Sequence, residues 1–507
     1  MAKYKSYNYS QTVMLPVSLE DQLMPGTIEF AIHTLVEERM DVSRFDERYR
    51  NDETGCKAYD PKVLLKVVLL AYARGINTSR KVERACKENV VFMAMSCGQE
   101  PDHSTIAAFV SNLKEEIKPL FRDVLLVCEE MGLLGGTEFS LDGCKLPSNA
   151  STRWSGTFAT LQEKKEKIER RVAYMLEEQV EADRREGRDG SEETRKATHI
   201  EKLRRQAARI EEFLQKNEPK PGKQFKEVRS NVTDNESAMM TTSHGTIQGY
   251  NGQALIDGKH QVIVEGEAFG WGQDQNHLEP VVTGAQENMK VIGKGDDYFK
   301  DAVLTADTAY HSGENIKRCE EEGIDAYIPD KEYRKRHPGL KVKKSSIDSR
   351  RRKFSSEDFT YDEAADEYEC PMGKRLKLNT KKAKARGIDY RRYHADPRDC
   401  EVCTVRQGCI KKKGTAGKRK ILMIPIESGG RNYSKEMAMK IDTERARKLY
   451  PRRVAIVEPV FANIRTQKRL DRFTLRGKIK VTIQWLLYCM VHNIEKIANF
   501  GPGFAAV

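Results

Sequence analysis

Two aspartates and one glutamate in this chain have the setting that a hard divalent cation requires. Asp142 closes a short alternating strand over 137–141, and Asp307 follows the brief apolar strand at 302–305. A strand end fixes a side chain with little freedom, which suits a metal-binding carboxylate. Glu458 lies in the helical stretch VAIVEPVFANIR, where Phe461, Ala462 and Arg465 share its face. Three such oxygen donors suit Mg²⁺ or Mn²⁺. Phosphoryl transfer uses a set of this kind: one ion activates water or a 3′-hydroxyl and a second stabilises the leaving oxygen, about 4 Å away. Spacing alone does not select these three from 76 Asp and Glu, most of which belong to solvated surface or helix caps.

A second constellation is made of sulfur. Cys400-x2-Cys403-x5-Cys409, with Cys370 upstream in ECPMGK, supplies four thiolates near compact turns. Four sulfurs suit tetrahedral Zn²⁺ in a closed structural site, with no open position for water. His394 is the substitute ligand if Cys370 lies too far away. Unligated thiols are the plain alternative, since Cys-x5-Cys is looser than a usual zinc knuckle. Lys145, beside Asp142, is placed to reach a phosphate, although a surface lysine explains it equally. His311, four residues after Asp307, reads as a locally packed helix-start residue or as one that tunes the site. Trp154 and Trp271 read as packing anchors or as platforms for a base.

The elements that must position these groups follow from periodicity. Residues 1–130 read as a helical domain. FAIHTLVEERMD has helical spacing, and Val63, Leu64, Val67, Val68, Leu70 and Ala71 form a broad apolar stripe. GINTSRKVERAC offers a turn and an N-cap at Asn77, Thr78 or Ser79, and Asp102 or Ser104 can cap the next helix. Three short helices carrying Arg80, Lys81 and Arg84 have the makings of a helix-turn-helix-like DNA-binding unit, or of a bundle that only packs. Residues 131–153 and 226–330 read as an α/β core, with strands at GYNGQALID and KHQVIVEGEAFG, a helix over 278–291, and a strand–helix–strand unit through Asp307 to DAYIP. Between them, 154–225 is rich in Glu, Lys and Arg. Ile200, Leu203, Ala207, Ile210 and Leu214 keep a heptad seam, which predicts an antiparallel helical hairpin. Residues 331–440 form a basic and cysteine-rich insertion, whose stretch 331–357 is a phosphate-contact candidate. Residues 441–507 are helices that complete the core, ending in a buried helix around Trp485.

Bulk properties agree with a nucleic-acid partner without requiring one. The 507 residues exceed a single core, and 88 Lys and Arg against 76 Asp and Glu give a formal charge of +12. Such a balance favours polyanions through counterion release. The longest apolar stretch near the C-terminus, 481–491, is too short to span a bilayer. MAKYKSYNYSQ has no apolar signal core, so a cytoplasmic protein is expected. The 11 cysteines, an odd number, point to free or metal-bound thiols rather than a disulfide framework.

At LDGCKLPSNAS, GYNGQALID, LTADTAYHSGENI and VEPVFANIRTQKRLDRFTLRGKIKV the chain resembles bacterial insertion-sequence transposases of the DDE type. YDPKVLLKVVLLAYARGINTSRKVERAC and PDHSTIAAF resemble the N-terminal helical domain of the same enzymes, so the likeness covers most of the chain in the expected order. The resemblance implies an RNase H-like mixed sheet core and carries the family's carboxylates onto Asp142, Asp307 and Glu458. It also implies two Mg²⁺ or Mn²⁺ ions, double-stranded DNA as partner (transposon ends and target), and a homodimer or higher assembly on DNA. Similar cysteines in relatives agree with a structural zinc. One departure stands out against the pattern Tyr-x2-Arg-x3-Glu-x6-Lys. Here Tyr450 and Arg453 are followed by Glu458 after four residues, and Arg465 takes the final basic position. This leaves the carboxylate assignment intact and puts the DNA contacts of Tyr450, Arg453 and Arg465 in doubt. The competing readings are a DNA-binding protein that no longer transposes and a nuclease of the same fold.

Overall fold

The computed structural model describes residues 18–504 except 49–56, 184–189, 223–225, 244, 338–353, 355, 386–387, 411–418 and 427–430. Most of the basic stretch at 331–357 therefore lies outside the described residues. The chain divides into two units, one formed by residues up to Pro329 with Thr443 onwards, the other by Asp330–Asp442.

In the first unit the N-terminal region is helical. α1 (Ile28–Thr34) and α2 (Pro61–Ala73) precede α3 (Ser79–Glu88), α4 (Val90–Met95), α5 (His103–Ser111) and α6 (Ile117–Glu130). Asp60 caps α2 through the Lys62 amide, with Pro61 at the first helical position, where its missing N–H costs nothing. Asp102 caps α5 by accepting from the amides of Ser104 and Thr105. Thr78 occupies the N-cap of α3 but makes no side-chain cap bond there. The short helix α4 was not expected from the sequence: VVFMAM is apolar without helical periodicity, and Asn89 starts it by accepting from Val91 and Phe92 amides.

The sheet of this unit is mixed. β1 (Glu138–Pro147) pairs antiparallel with β3 (Gly245–Asp257), while β2 (Ala238–Thr242) and β4 (Ile263–Phe269) pair with the other edge of β3. On its far side β1 runs parallel to β5 (Val303–Ala306), which pairs in parallel with β6 (Asp325–Tyr327). This is the mixed α/β core expected of an RNase H-like protein. One expectation is corrected: β1 does not stop at Asp142 but continues to Pro147, paired residue by residue with β3. Gly143 lies inside the strand, where glycine ordinarily weakens it. It serves instead as a place of close approach. A Cβ there would overlap the Gln253 amide and stand 2.8 Å from Asn251 Oδ1, both side chains fully buried. Gly143→Ala is accordingly expected to cost about 1–3 kcal/mol through overpacking. Denaturant titration checks this, and unchanged stability would refute it.

α7 (Phe158–Asp183) and α8 (Gly190–Lys216) form the charged helical hairpin and pack against each other. Ile200, Ala207 and Ile210 of the heptad seam are buried. At its base Leu161, Ile210, Phe213 and Val232 make a small core, with Trp154 packed against it. α9 (Leu278–Val291) covers β4, and α10 (Gly313–Glu321) follows β5, capped by Ser312 on the Asn315 amide.

α11 (Arg452–Ala462) and α12 (Lys478–Phe500) close the unit. α12 is buried along most of its length because it packs against β4 on one side and α6 and α2 on the other. Two of its polar side chains are matched to the sheet. Asn493 both accepts from the Ile263 amide and donates to the Ile263 carbonyl, each at 2.8 Å, acting as a strand partner for the edge of β4. Trp485 Nε1 donates to the Gln253 carbonyl at 2.8 Å, and Gly252 and Gly266 leave room for its ring. No helix among the described residues is long and apolar enough to cross a membrane.

The second unit holds a five-stranded antiparallel sheet: β7 (Thr360–Asp362), β8 (Glu367–Glu369), β9 (Arg375–Ala385), β10 (Ile388–Ala395) and β11 (Ile421–Pro425), in sequence order. Phe359, Leu376, Tyr393, Ala395 and Leu422 form its core.

Candidate active site

Parallel pairing sets the two aspartates side by side. Leu141 of β1 lies opposite Ala306, the last residue of β5, so Asp142 and Asp307 both come next at the same end of this pair. Asp307 is then the N-cap of a single 3-10 turn and accepts from the Ala309 amide at 2.7 Å. Asp142 accepts from the Gly143 amide and from Arg453 Nη1, both at 2.8 Å. Arg453 stands near the start of α11, and this ion pair ties that helix to β1. Donors thus engage both Asp142 oxygens, but a carboxylate has about four acceptor sites, so each oxygen retains capacity for a cation.

Burial pushes the carboxyls of both aspartates above the ordinary carboxylate range, and the Arg453 charge opposes the shift in each. The proximity of Asp307 raises Asp142 further. Two like charges in a partly desolvated place are the setting in which a cation gains most. The sign follows directly. Without ions these groups favour folding below their unfolded values and disfavour it as pH rises through the higher folded ones. Ion binding needs the carboxylate form, so protection of the fold by Mn²⁺ should fade as pH falls through that raised range. Melting curves with and without Mn²⁺ test this. Protection that persists unchanged down to about pH 4, the ordinary range, would contradict it.

Strand alternation places a different set of groups on the other face of β1. Gly143 and Lys145 lie opposite Gln253 and Asn251 of β3. Asn251 and Gln253 both donate to Asp274 Oδ1, at 2.5 and 3.1 Å, and Lys145 Nζ stands 3.4 Å from Asp274 Oδ2. Gln253 also accepts from the Tyr310 hydroxyl, three residues beyond Asp307. Asp274 raises the Asp307 carboxyl and Lys145 lowers it, so Asp307 senses both faces of the strand. Sequence reasoning missed Asp274, Asn251, Gln253 and Tyr310. One signal was available: Asn251 and Gln253 are polar residues two apart, hence on one face of the strand, and a buried polar face needs hydrogen-bond partners.

The other candidates are placed as follows. Glu458 lies on α11, about 7.5 Å of helix rise beyond Arg453, with its side chain exposed. Among the described residues no three His, Cys, Asp or Glu side chains form a metal-holding group, so Glu458 does not close such a set with the two aspartates. The structure therefore brings together Asp142, Asp307 and Arg453, with the Lys145 charge acting on Asp307 from the other face of β1, and does not complete the set with Glu458. Arg465 is exposed; burial raises the Cys144 thiol, the Arg465 charge opposes that shift and the Asp142 charge adds to it. The Tyr450 hydroxyl influences Arg453. Arg80 and Lys81 are exposed at the start of α3. His311 Nδ1 contacts the Ile328 carbonyl at 2.9 Å, a local packing role. Trp271 is 55% exposed and Trp154 half-buried.

In the second unit, Cys370, Cys400, Cys403 and Cys409 line one pocket, and the Cys409 thiol is raised by burial and by the other three sulfurs. The amides of Lys374 and Lys420 donate to Cys370 Sγ and Cys400 Sγ at 3.3 and 3.4 Å. As stated, these side chains do not form a closed ligand group. His394 is not among the residues lining the pocket: Tyr393 and Ala395 enter the core of the sheet, and alternation turns His394 to the opposite face.

Comparison with known families accords with this architecture. A family model described as a transposase DDE domain matches residues 369–498, a span that includes Glu458 and the four cysteines. A second, described as a transposase domain, matches residues 17–112, which include α1 to α5. No curated protein matches the chain. With these two matches in this order along the chain, it is similar to DDE transposases over both spans.

Proposed function

We propose that this chain is a transposase that binds the terminal inverted repeats of its element, hydrolyses a strand to expose a 3′-hydroxyl, and uses that hydroxyl to attack target DNA. The observation that carries this reading is the β1–β5 register, which sets Asp142 beside Asp307 with Arg453 and Lys145 around them. Asp142, Asp307 and Glu458 would hold two Mg²⁺ or Mn²⁺ ions, which when bound activate the attacking oxygen and stabilise the leaving one. The two buried aspartates fit such ions because their own repulsion and desolvation are what a cation relieves. Glu458 must approach them for the set to be complete. Arg453 neutralises Asp142 before ions arrive and then stands ready for a phosphate oxygen, which its fork can bind bidentately. Lys145, held by Asp274, Arg465 and Tyr450 contact the nearby backbone. Arg80 and Lys81 contact DNA from the helical domain. Two DNA ends must be paired, which calls for a homodimer or higher assembly, working on cytoplasmic DNA.

The test is to incubate the chain with Mg²⁺ and the DNA that flanks its gene. Mg²⁺-dependent nicks together with joined products support transposition. Cleavage without joining favours a nuclease, and salt-sensitive binding without cutting favours a DNA-binding protein.

We further propose that the four cysteines, which line one pocket without closing into a ligand group, draw together on a structural Zn²⁺ when it binds. Their support is the shared pocket, and the two amide donors to sulfur are the kind of outer contact that orients thiolate ligands. Purified protein should carry one zinc per chain by mass spectrometry, and Cys400→Ser should lose it. A zinc-free chain of unchanged stability would refute the assignment.

A further inference from the structure

The base of the helical hairpin carries a basic groove that the proposed chemistry does not use. Trp154 forms its floor, and α8 supplies one wall with Lys202, Arg205 and Arg209. The groove has a volume of about 430 Å³. Positions 198, 202, 205 and 209 recur at helical spacing, so one face of α8 looks into it, while Ile200, Ala207 and Ile210 pack inward on the other. That face extends roughly 16 Å at about 1.5 Å per residue, the length of about five base steps at 3.4 Å.

Its charge is largely uncompensated. Glu201 pairs with Arg205 at 2.9 Å, but among the described residues no carboxylate pairs with Arg153, Lys202 or Arg209. All three are exposed. Arg209 and Lys164 stand over the Trp154 ring, with the guanidinium carbon at 5.6 Å and Nζ at 5.3 Å from its centroid. The floor is rigid. The Trp154 carbonyl accepts from the Val232 amide at 3.0 Å, and the neighbouring Ser155 donates to Gln248 of β3 at 3.0 Å. β1, which carries Asp142, ends at Pro147, about 17 Å along the strand, so the groove is anchored to the sheet that holds the candidate active site. A solvated helix face would have its cations interleaved with acids. This face presents Lys202 and Arg209 without carboxylate partners beside the paired Arg205, which fits the phosphates of a polyanion.

We propose that this groove is a DNA-backbone site, a track for about two phosphates of the same duplex that the aspartates engage. The proposal rests on the reading of the chain as a DNA transposase. DNA binding by the full chain is measured by fluorescence anisotropy on a random-sequence duplex between about 50 and 200 mM salt. The double variant Lys202→Ala, Arg209→Ala is expected to bind about tenfold more weakly. The slope of log affinity against log salt should shrink by about 1.8, at 0.9 per phosphate. Lys216→Ala removes a cation from the same helix outside the groove, where Lys216 already pairs with Glu212 at 2.6 Å, and should change little. If the double variant loses its fold by circular dichroism, Lys202→Glu alone takes its place with a slope change of about 0.9 or more. A wild-type chain that binds DNA with a slope unchanged by these substitutions overturns the groove alone. A wild-type chain that binds no DNA overturns the transposase reading and the groove with it.

Discussion

Asp142→Asn, Asp307→Asn and Glu458→Gln are each expected to lower metal-dependent strand cleavage by about 10³-fold while leaving DNA binding largely intact. The reasoning is electrostatic. Ions that bridge attacking and leaving oxygens supply several kcal/mol of transition-state stabilisation, and about 4 kcal/mol corresponds to that factor. An amide keeps the shape of a carboxylate and loses the charge that holds the ion. At Asp307 the change is conservative for the fold, since asparagine also accepts from a capped amide such as that of Ala309. At Asp142 it leaves Arg453 facing a neutral group in a half-buried place, so the fold bears part of the cost. The comparison of variants is therefore informative: Asp307→Asn should abolish cutting with the least loss of stability. Gel-resolved cleavage alongside filter binding checks this, and full cutting by all three variants would remove the assignment.

The second large effect concerns stability. Trp485→Ala is expected to destabilise the chain by about 3–5 kcal/mol, the range for deleting a buried tryptophan. Trp485 is fully buried, donates to the Gln253 carbonyl, stacks near Phe461 of α11 and meets Phe473 edge-on. It thus joins α12 to α11 and β3, both of which flank β1, the strand that carries Asp142. Its loss should also loosen α11 and with it the Arg453 contact to Asp142. Equilibrium denaturation measures the first effect. A loss below about 1 kcal/mol, the size of an ordinary surface change, would show that this junction does not hold the core together.

Much of this architecture was legible because its signals are local. The run VLTA followed by Asp307 reads as a strand that stops, and Leu278–Val291 reads as a helix from periodicity alone. The charged hairpin is written in its heptad spacing. What was not legible depends on contacts between distant residues. β1 passes through Gly143 because Gln253, more than a hundred positions away, needs the space a Cβ would fill. Asp274 has no local signature, and becomes part of the site only through Asn251, Gln253 and Lys145. α4 was hidden because six apolar residues carry no period. Family likeness, rather than spacing, singled out Glu458, and the structure leaves that residue exposed on α11. Cysteine spacing pointed to four sulfurs that share a pocket; since Cys370 is among them, the substitute His394 is not called on, and strand alternation turns it away.

Because Glu458 does not close a set with the aspartate pair, ion binding is the sharpest test. Mn²⁺ titration of the full chain with its DNA, followed by electron paramagnetic resonance, should show two bound ions. Asp142→Asn, Asp307→Asn and Glu458→Gln should each weaken that binding by tenfold or more, about 1.4 kcal/mol or above. Mn²⁺ affinity that is unchanged in all three variants would contradict the account.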